Sequence, residues 1–276
     1  MSLSKKIIYG TAWKKEQTTS LVLKAVLNGF RAIDTAGQLK HYREDLVGEA
    51  LLELKEKHNV NRESLWLQTK YTSINGQDTA KPLPYNPSDP ISAQVVSSCQ
   101  TSLINLHTTY LDSYILHSPL PTLEQTLEAW QALMKLQDEG KVKLIGVSNT
   151  YDVKVLVALS KVRKVQVVQN RWYEGNQWDQ KVFNYCKESG IMYQSFWTLT
   201  GSPTLLQNPV IRELAQKSGL SEATTVYKFA QLEGIVPLSG TKREENMLQD
   251  VAVEDIPFEG EDVEKQIQQL KAFIAA

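Results

Sequence analysis

Eight short apolar runs recur along the chain and alternate with longer segments of helical pattern. Each run has four to seven residues and no regular polar face, which is typical of a strand buried on both sides. The pattern therefore predicts eight buried strands. The runs occupy residues 6–10, 31–34, 65–70, 113–117, 142–148, 165–170, 191–196 and 234–239.

Between these runs, apolar residues recur every three or four positions, as on one face of an amphipathic helix. The clearest segments are 41–58 and 122–141. The second ends near Gly140, a residue type that favours the left-handed conformation closing a helix. Similar patterns predict helices in residues 91–106, 152–162, 179–190, 221–234 and 262–274.

The alternation of strands and helices continues without a break in composition. Parallel strands joined by right-handed helical crossovers produce this order, and eight such units close into a (β/α)8 TIM barrel. An open doubly wound sheet usually has a glycine-rich phosphate turn after its first strand, whereas "YGTAW" (9–13) has one glycine. We therefore predict a single α/β barrel domain spanning residues 1–276.

Composition narrows the class of protein further. The 276 residues carry 30 basic and 31 acidic side chains, so the basic excess of a nucleic-acid-binding protein is missing. The two cysteines form no Cys-x-x-Cys pair, which argues against a disulfide framework and a metal site. Neither a signal peptide nor a membrane span is expected. These features predict a cytoplasmic protein, with the Lys14-Lys15 pair on its solvated surface.

Three successive predicted strands end in residues that can carry chemistry: Asp34, Lys70 and His117. Each has a purely structural interpretation, since Asp34 could cap a turn, Lys70 could extend into solvent and His117 could be satisfied within its own turn. A purely structural interpretation of all three residues together is harder to accept. Reactive groups in this fold lie at the carboxyl ends of the strands, and charged residues are rarely buried unpaired.

The combination suits the polarisation of a carbonyl group. A lysine beside an aspartate stays charged, and a cation near a phenol is expected to lower the phenol pKa. Such a phenol can give a proton to a carbonyl oxygen that gains negative charge. Tyr42 is the phenol nearest in sequence, and His117 could orient the carbonyl by a hydrogen bond.

At this point the chain resembles the aldo-keto reductase family over nearly its whole length. The resemblance rests on "FRAIDTA", "LQTKY", "DEGKVKLIGVSN", "VVQNRWY" and "VPLSGTKREENM". It implies reduction of aldehydes or ketones with NADPH, NADH being less favoured, by a catalytic set of Asp34, Tyr42, Lys70 and His117. It also implies a monomer or weak homodimer acting on a small-molecule carbonyl substrate.

Tyr42 departs from the family's pattern. It lies eight residues after Asp34, further than the family's tyrosine usually lies, but "VGEAL" downstream is displaced as well. The loop is therefore interpreted as lengthened, with Tyr42 returning to the site. The alternatives are that His41 is the proton donor, or that the site lacks its phenol and Tyr42 packs in the core.

The resemblance also implies the cofactor and substrate contacts. Phe196 falls where the family usually stacks a tyrosine on the nicotinamide, and Ser148, Asn149 and Gln169 match the carboxamide-binding residues. The substrate contacts expected are Trp13, His117, Trp172 and Trp197, with the 71–90 loop above them. The full cofactor set is Gly10, Thr11, Ala12, Asp34, Ser148, Asn149, Gln169, Phe196, Trp197, Thr198, Leu199, Gly240, Thr241, Lys242, Arg243, Asn246, Gln249 and Asp250.

Two other functions stay open at the level of sequence. Lys70 could form a Schiff base, as in a class I aldolase, although pairing with an acid suppresses the nucleophilicity of an amine. The unusual spacing of Tyr42, together with the absence of the family's usual 2′-phosphate cations, would also fit a catalytically weak, cofactor-binding redox sensor or regulatory subunit.

Overall fold

The computed structural model describes residues 7–275, and they form one closed barrel of eight parallel strands. All eight predicted strands are confirmed to within a few residues; residue 6, predicted to open the first, lies outside the described residues. The strands are β1 (Ile8–Gly10), β2 (Ala32–Asp34), β3 (Trp66–Tyr71), β4 (Leu111–Leu116), β5 (Val142–Ser148), β6 (Val167–Arg171), β7 (Met192–Phe196) and β8 (Val236–Ser239).

Each strand pairs with its neighbours in sequence, and β1 closes the barrel against β8. The register places Asp34 beside Gly10 of β1 and Gln68 of β3. In the same way Ser148 of β5 lies beside Gln169 of β6. The strand ends predicted to carry chemistry therefore meet at one mouth of the barrel, as the (β/α)8 fold requires.

Eleven α-helices surround the barrel in the described part of the chain. The helices at 18–27, 203–206, 209–218 and 244–252 were not predicted individually from the sequence. The helices are α1 (Thr18–Leu27), α2 (Glu44–His58), α3 (Ile91–Asn105), α4 (Leu123–Asp138), α5 (Val153–Val162), α6 (Gln180–Ser189), α7 (Pro203–Leu206), α8 (Pro209–Ser218), α9 (Glu222–Leu232), α10 (Glu244–Ala252) and α11 (Glu261–Ala275).

The main core lies between the strands and these helices. In α4 the side chains of Trp130, Leu133 and Leu136 form one buried face, as their spacing predicts. The Thr122 hydroxyl accepts a hydrogen bond from the Gln125 amide at the start of the helix, which satisfies one amide left free by helix geometry. No helix among residues 7–275 is long and apolar enough to cross a membrane.

Gly146 allows β5 and β6 to approach closely. A Cβ at this position would lie 2.1 Å from the Val167 carbonyl oxygen, so any other residue would push the two strands apart. The close pairing continues to the ends of the strands, where Ser148 Oγ donates to the Gln169 carbonyl over 2.6 Å. The glycine therefore helps to fix the two strand ends at the mouth.

Candidate active site

Asp34 and Lys70 form a buried ion pair at the mouth of the barrel. Lys70 Nζ lies 2.7 Å from Oδ1 and 2.6 Å from Oδ2 of Asp34, and 2.8 Å from the Thr35 carbonyl oxygen. These three acceptors match the three protons of an ammonium group. Burial lowers the pKa of Lys70, while the Asp34 carboxylate opposes that shift. The predicted pairing of the two side chains is confirmed.

Three glutamines extend this pair across the barrel interior. Asp34 Oδ1 accepts hydrogen bonds from Gln68 Nε2 at 2.8 Å and Gln169 Nε2 at 3.0 Å. Gln194 Oε1 accepts from both of these amides, at 2.8 and 2.9 Å. The Asp34 carboxylate is thus held by donors from β3 and β6, which fixes its orientation.

Tyr42 returns to the site despite its distance from Asp34 in sequence. Its amide donates to the Gln38 carbonyl over 3.1 Å, which closes a turn just before α2 begins. Lys70 Nζ lies 5.3 Å from the centre of the Tyr42 ring, and the Tyr42 and His117 ring centres are 5.8 Å apart. The four predicted catalytic residues therefore lie together.

The electrostatic environment of Tyr42 differs from the prediction. Burial raises the pKa of the Tyr42 phenol, and the negative charge of Asp34 raises it further. The Lys70 ammonium, 5.3 Å from the ring centre, favours the phenolate but does not outweigh these two effects. The prediction that the Tyr42 pKa lies below its ordinary value is therefore wrong for this arrangement, and the phenol is protonated at neutral pH.

One ring nitrogen of His117 has a hydrogen-bond partner in the protein, and the other has none in the described part of the chain. Its Nδ1 lies 2.6 Å from Thr72 Oγ1, whereas Nε2 has no hydrogen-bond partner among residues 7–275. Burial, with smaller contributions from Lys70 and His41, lowers the pKa of His117 to about 3. The imidazole is therefore neutral at physiological pH and can donate a hydrogen bond through one ring nitrogen.

Two tryptophans flank the mouth, and a third does not. Trp13 is 59% exposed and stacks on His41, with ring centres 3.8 Å apart; Trp197 is 51% exposed. Trp172, by contrast, is fully buried in the core against Trp178 and Phe229. In this position the Trp172 ring does not reach the mouth, so the structure lends its predicted contact with substrate no support.

The similarity to known proteins agrees with this geometry. A model of the Aldo/keto reductase family matches residues 6–272. The chain belongs to this family. Among aldo-keto reductases, the glyoxal reductase of Bacillus subtilis is 29% identical to it over 251 residues, which cover 90% of this chain and 82% of that protein.

Other aldo-keto reductases are similar at the same level. Methylglyoxal reductase DkgA of Escherichia coli is 29% identical over 223 residues, covering 80% of this chain and 73% of that protein. The crystal structure of an aldo/keto reductase from Brucella melitensis superposes with a TM-score of 0.78 at 25% identity, covering 96% of this chain and 94% of that one. The predicted family and (β/α)8 fold are confirmed.

On the β5–β7 side of this aldo-keto reductase, the predicted cofactor residues differ in accessibility. Asn149 Nδ2 donates to the His117 carbonyl over 2.9 Å, and Phe196 is partly exposed at the end of β7. Gln169, however, directs its amide to Asp34 and Gln194 inside the barrel. Thr198 is buried with its hydroxyl 2.7 Å from Ser195 Oγ. The Gln169 Nε2 group and the Thr198 hydroxyl therefore already have partners within the protein.

The predicted cofactor residues after β8 also differ in accessibility. Lys242 and Arg243 are exposed, and Arg243 lies 2.8 Å from Glu245 in a surface ion pair. The Asp250 carboxylate is buried and accepts a hydrogen bond from Ser239 Oγ at 2.6 Å. In this position Asp250 holds a structural hydrogen bond to the end of β8, and its predicted contact with the cofactor gains no support.

Sequence reasoning missed a lysine beside this segment. Lys14 was expected on the surface, but it is 3% exposed, and its Nζ donates to the Gly240 carbonyl. Burial, together with the charge of Lys242, lowers the pKa of Lys14 to about 8. Within residues 7–275 no carboxylate lies within ion-pair distance of its Nζ. Only the three-dimensional closure of β1 on β8 reveals this residue.

Proposed function

We propose that this protein reduces aldehydes or ketones to alcohols with NADPH. The observation that carries the proposal is the buried Asp34–Lys70 pair, 2.6 Å apart, beside the rings of Tyr42 and His117. A neutral phenol and a neutral imidazole at one mouth can both donate to the same carbonyl oxygen, where negative charge develops during reduction.

The residues of the mouth fit a nicotinamide dinucleotide. Phe196 offers a partly exposed ring at the end of β7, and such a ring can stack on nicotinamide. Lys14 supplies a buried positive charge beside Gly240, which favours a phosphate group. When bound, the cofactor supplies the hydride. A silkworm aldo-keto reductase solved in complex with NADP shares this fold, with a TM-score of 0.80 at 21% identity.

Each catalytic side chain has a distinct part in the proposed reaction. His117 donates a hydrogen bond from Nε2 and orients the carbonyl. Tyr42 transfers its hydroxyl proton to the carbonyl oxygen as that oxygen becomes an alkoxide, which is far more basic than a phenolate. Asp34 holds Lys70, whose positive charge 5.3 Å from the Tyr42 ring stabilises the phenolate that results.

The test is cofactor oxidation, followed at 340 nm, with a panel of aldehydes, ketones and α-dicarbonyls and with NADPH or NADH. The α-dicarbonyls are included because the relatives bear the names glyoxal reductase and methylglyoxal reductase. We expect turnover with at least one class and a preference for NADPH. Tight NADPH binding without turnover of any substrate would contradict the proposal and favour a redox sensor.

We expect Lys14→Met to weaken NADPH binding roughly tenfold to a hundredfold, because hydrogen bonds to charged groups contribute about 1.5–3 kcal/mol. NADH binding should change much less, since that cofactor lacks the 2′-phosphate. As the pKa of Lys14 is about 8, NADPH affinity of the unmodified protein should fall as the pH rises above that value. Quenching of tryptophan fluorescence measures both dissociation constants.

Lys15→Met is the matched control, because Lys15 is the exposed neighbour of Lys14. It should leave the affinity for both cofactors unchanged. Equal loss of NADPH and NADH affinity in Lys14→Met would assign Lys14 to a phosphate common to the two cofactors, or to the loop structure, and would contradict its part in selecting NADPH.

A further inference from the structure

Thr72 follows β3 directly and contacts His117 from the side opposite the open ring nitrogen. Its Oγ1 lies 2.6 Å from His117 Nδ1, and Thr72 is 3% exposed. A neutral imidazole carries one N–H, on either Nδ1 or Nε2. The partner at Nδ1 therefore decides whether Nε2 can donate a hydrogen bond to a ligand.

The hydrogen-bond inventory favours one of the two arrangements. Within residues 7–275 the Thr72 hydroxyl has His117 Nδ1 as its single hydrogen-bond partner. If Nδ1 carried the proton, the buried hydroxyl would accept it and leave its own proton without an acceptor, which costs free energy. If the hydroxyl donates to Nδ1, both groups are satisfied and the imidazole proton is on Nε2.

The rotamer of Thr72 is fixed by its neighbours. A Cβ added at Gly76 would lie 2.7 Å from Thr72 Cγ2, so the threonine methyl packs directly against the glycine backbone. A β-branched side chain is stiff about χ1. Holding the methyl against Gly76 therefore holds the hydroxyl toward His117.

The backbone of Thr72 is fixed as well. Its carbonyl oxygen accepts hydrogen bonds from the Tyr85 hydroxyl at 2.8 Å and from Gln77 Nε2 at 3.1 Å. Gln77 Nε2 also donates to the Gly37 carbonyl at 2.9 Å. The 71–90 loop and the loop that carries Tyr42 thus hold Thr72 from two sides.

We propose that Thr72 is a positioning residue: its hydroxyl donates to His117 Nδ1 and so keeps the imidazole proton on Nε2, the nitrogen that meets the substrate carbonyl. The role of that proton rests on the proposed function, whereas its location does not. Through Thr72, the 71–90 loop would then contribute to carbonyl reduction by setting the tautomer of His117.

The experiment compares Thr72→Val, Thr72→Ser and Gly76→Ala in the full chain. With 15N-labelled histidine, NMR reports which ring nitrogen is protonated; the chain has four histidines, and the spectrum of His117→Gln assigns His117. We expect the proton on Nε2 in the unmodified protein and in Thr72→Ser. In Thr72→Val and Gly76→Ala, the tautomers should mix and kcat should fall about tenfold, the effect of a typical net hydrogen bond, while the Kd for NADPH is unchanged.

A proton on Nδ1 in the unmodified protein would overturn the inference, as would a Thr72→Val variant that keeps both the Nε2 tautomer and full kcat. Gly76→Ala keeps the hydroxyl but displaces the methyl, so it tests the same geometry if Thr72→Val fails to fold. If the unmodified protein reduces no carbonyl while the tautomer still responds to Thr72, the proposed function fails and the positioning of the imidazole stands.

Discussion

Tyr42→Phe should reduce the rate of carbonyl reduction by a factor of about 10²–10⁴, the usual contribution of a positioned general acid. The change removes one oxygen and leaves the ring beside Lys70 and His117, so NADPH affinity and the unfolding midpoint should hardly change. Because burial raises the pKa of Tyr42, the pH–rate profile of the unmodified protein should show no phenol ionisation below about pH 10. Steady-state kinetics across pH measure both effects.

His41→Gln is the informative control for this prediction. His41 is the alternative proton donor, but its ring stacks on Trp13. The ring beside Lys70 and His117 is that of Tyr42. The variant should retain carbonyl reduction within a few-fold. The acid assignment would be wrong if Tyr42→Phe kept full activity, and it would pass to His41 if His41→Gln alone lost activity.

Asp34→Asn should destabilise the fold by about 3–5 kcal/mol, the range observed when one partner of a buried ion pair is removed. Lys70 is 1% exposed in its side chain, so the variant leaves a buried ammonium without its counter-charge. Urea unfolding at pH 7 measures the loss. Carbonyl reduction should fall as well, because Lys70 is no longer held beside Tyr42.

Two comparisons make this prediction specific. Combining Asp34→Asn with Lys70→Met should recover much of the stability, since no unpaired charge remains. Lys24→Met, which breaks an exposed 3.9 Å pair with Glu244, should cost less than about 1 kcal/mol. An Asp34→Asn cost as small as that of Lys24→Met would contradict the buried-charge explanation.

The pH dependence of Asp34→Asn has a definite sign. Without its counter-ion, Lys70 has a pKa below that of the unfolded chain, about 10.4. Between those two pKa values the unfolded state binds more protons than the folded state, so stability rises with pH. The stability deficit of the variant should therefore shrink as the pH increases toward 10.

The strands and their ends could be predicted from the sequence because local pattern determines them. Short apolar runs specify buried strands, and the parallel barrel brings their carboxyl ends together. Asp34, Lys70 and His117 were found for this reason. Tyr42 reaches the site only because the lengthened loop folds back. The resemblance to the family suggested this position for Tyr42, whereas the hydrophobic pattern of the chain did not.

The environments of individual side chains could not be predicted in the same way. Lys14 and Trp172 are buried by contacts with residues far away in sequence, Gly240 and Phe229. The raised pKa of Tyr42 depends on its burial and on the nearby Asp34 carboxylate, both of which the fold sets. Thr72 gave no signal, because a threonine after a strand is common and only the fold places it against His117.

The hydrogen-bond network around Asp34 joins segments that are synthesised at different times. Gln68 comes from the first half of the chain, whereas Gln169 and Gln194 come from the second. A nascent chain that has produced only β1 to β4 has the acid and the lysine but lacks two of the amides around them. Assembly of the reactive centre is therefore coupled to closure of the whole barrel, and a chain that ends before β7 would lack the complete hydrogen-bond network around Asp34.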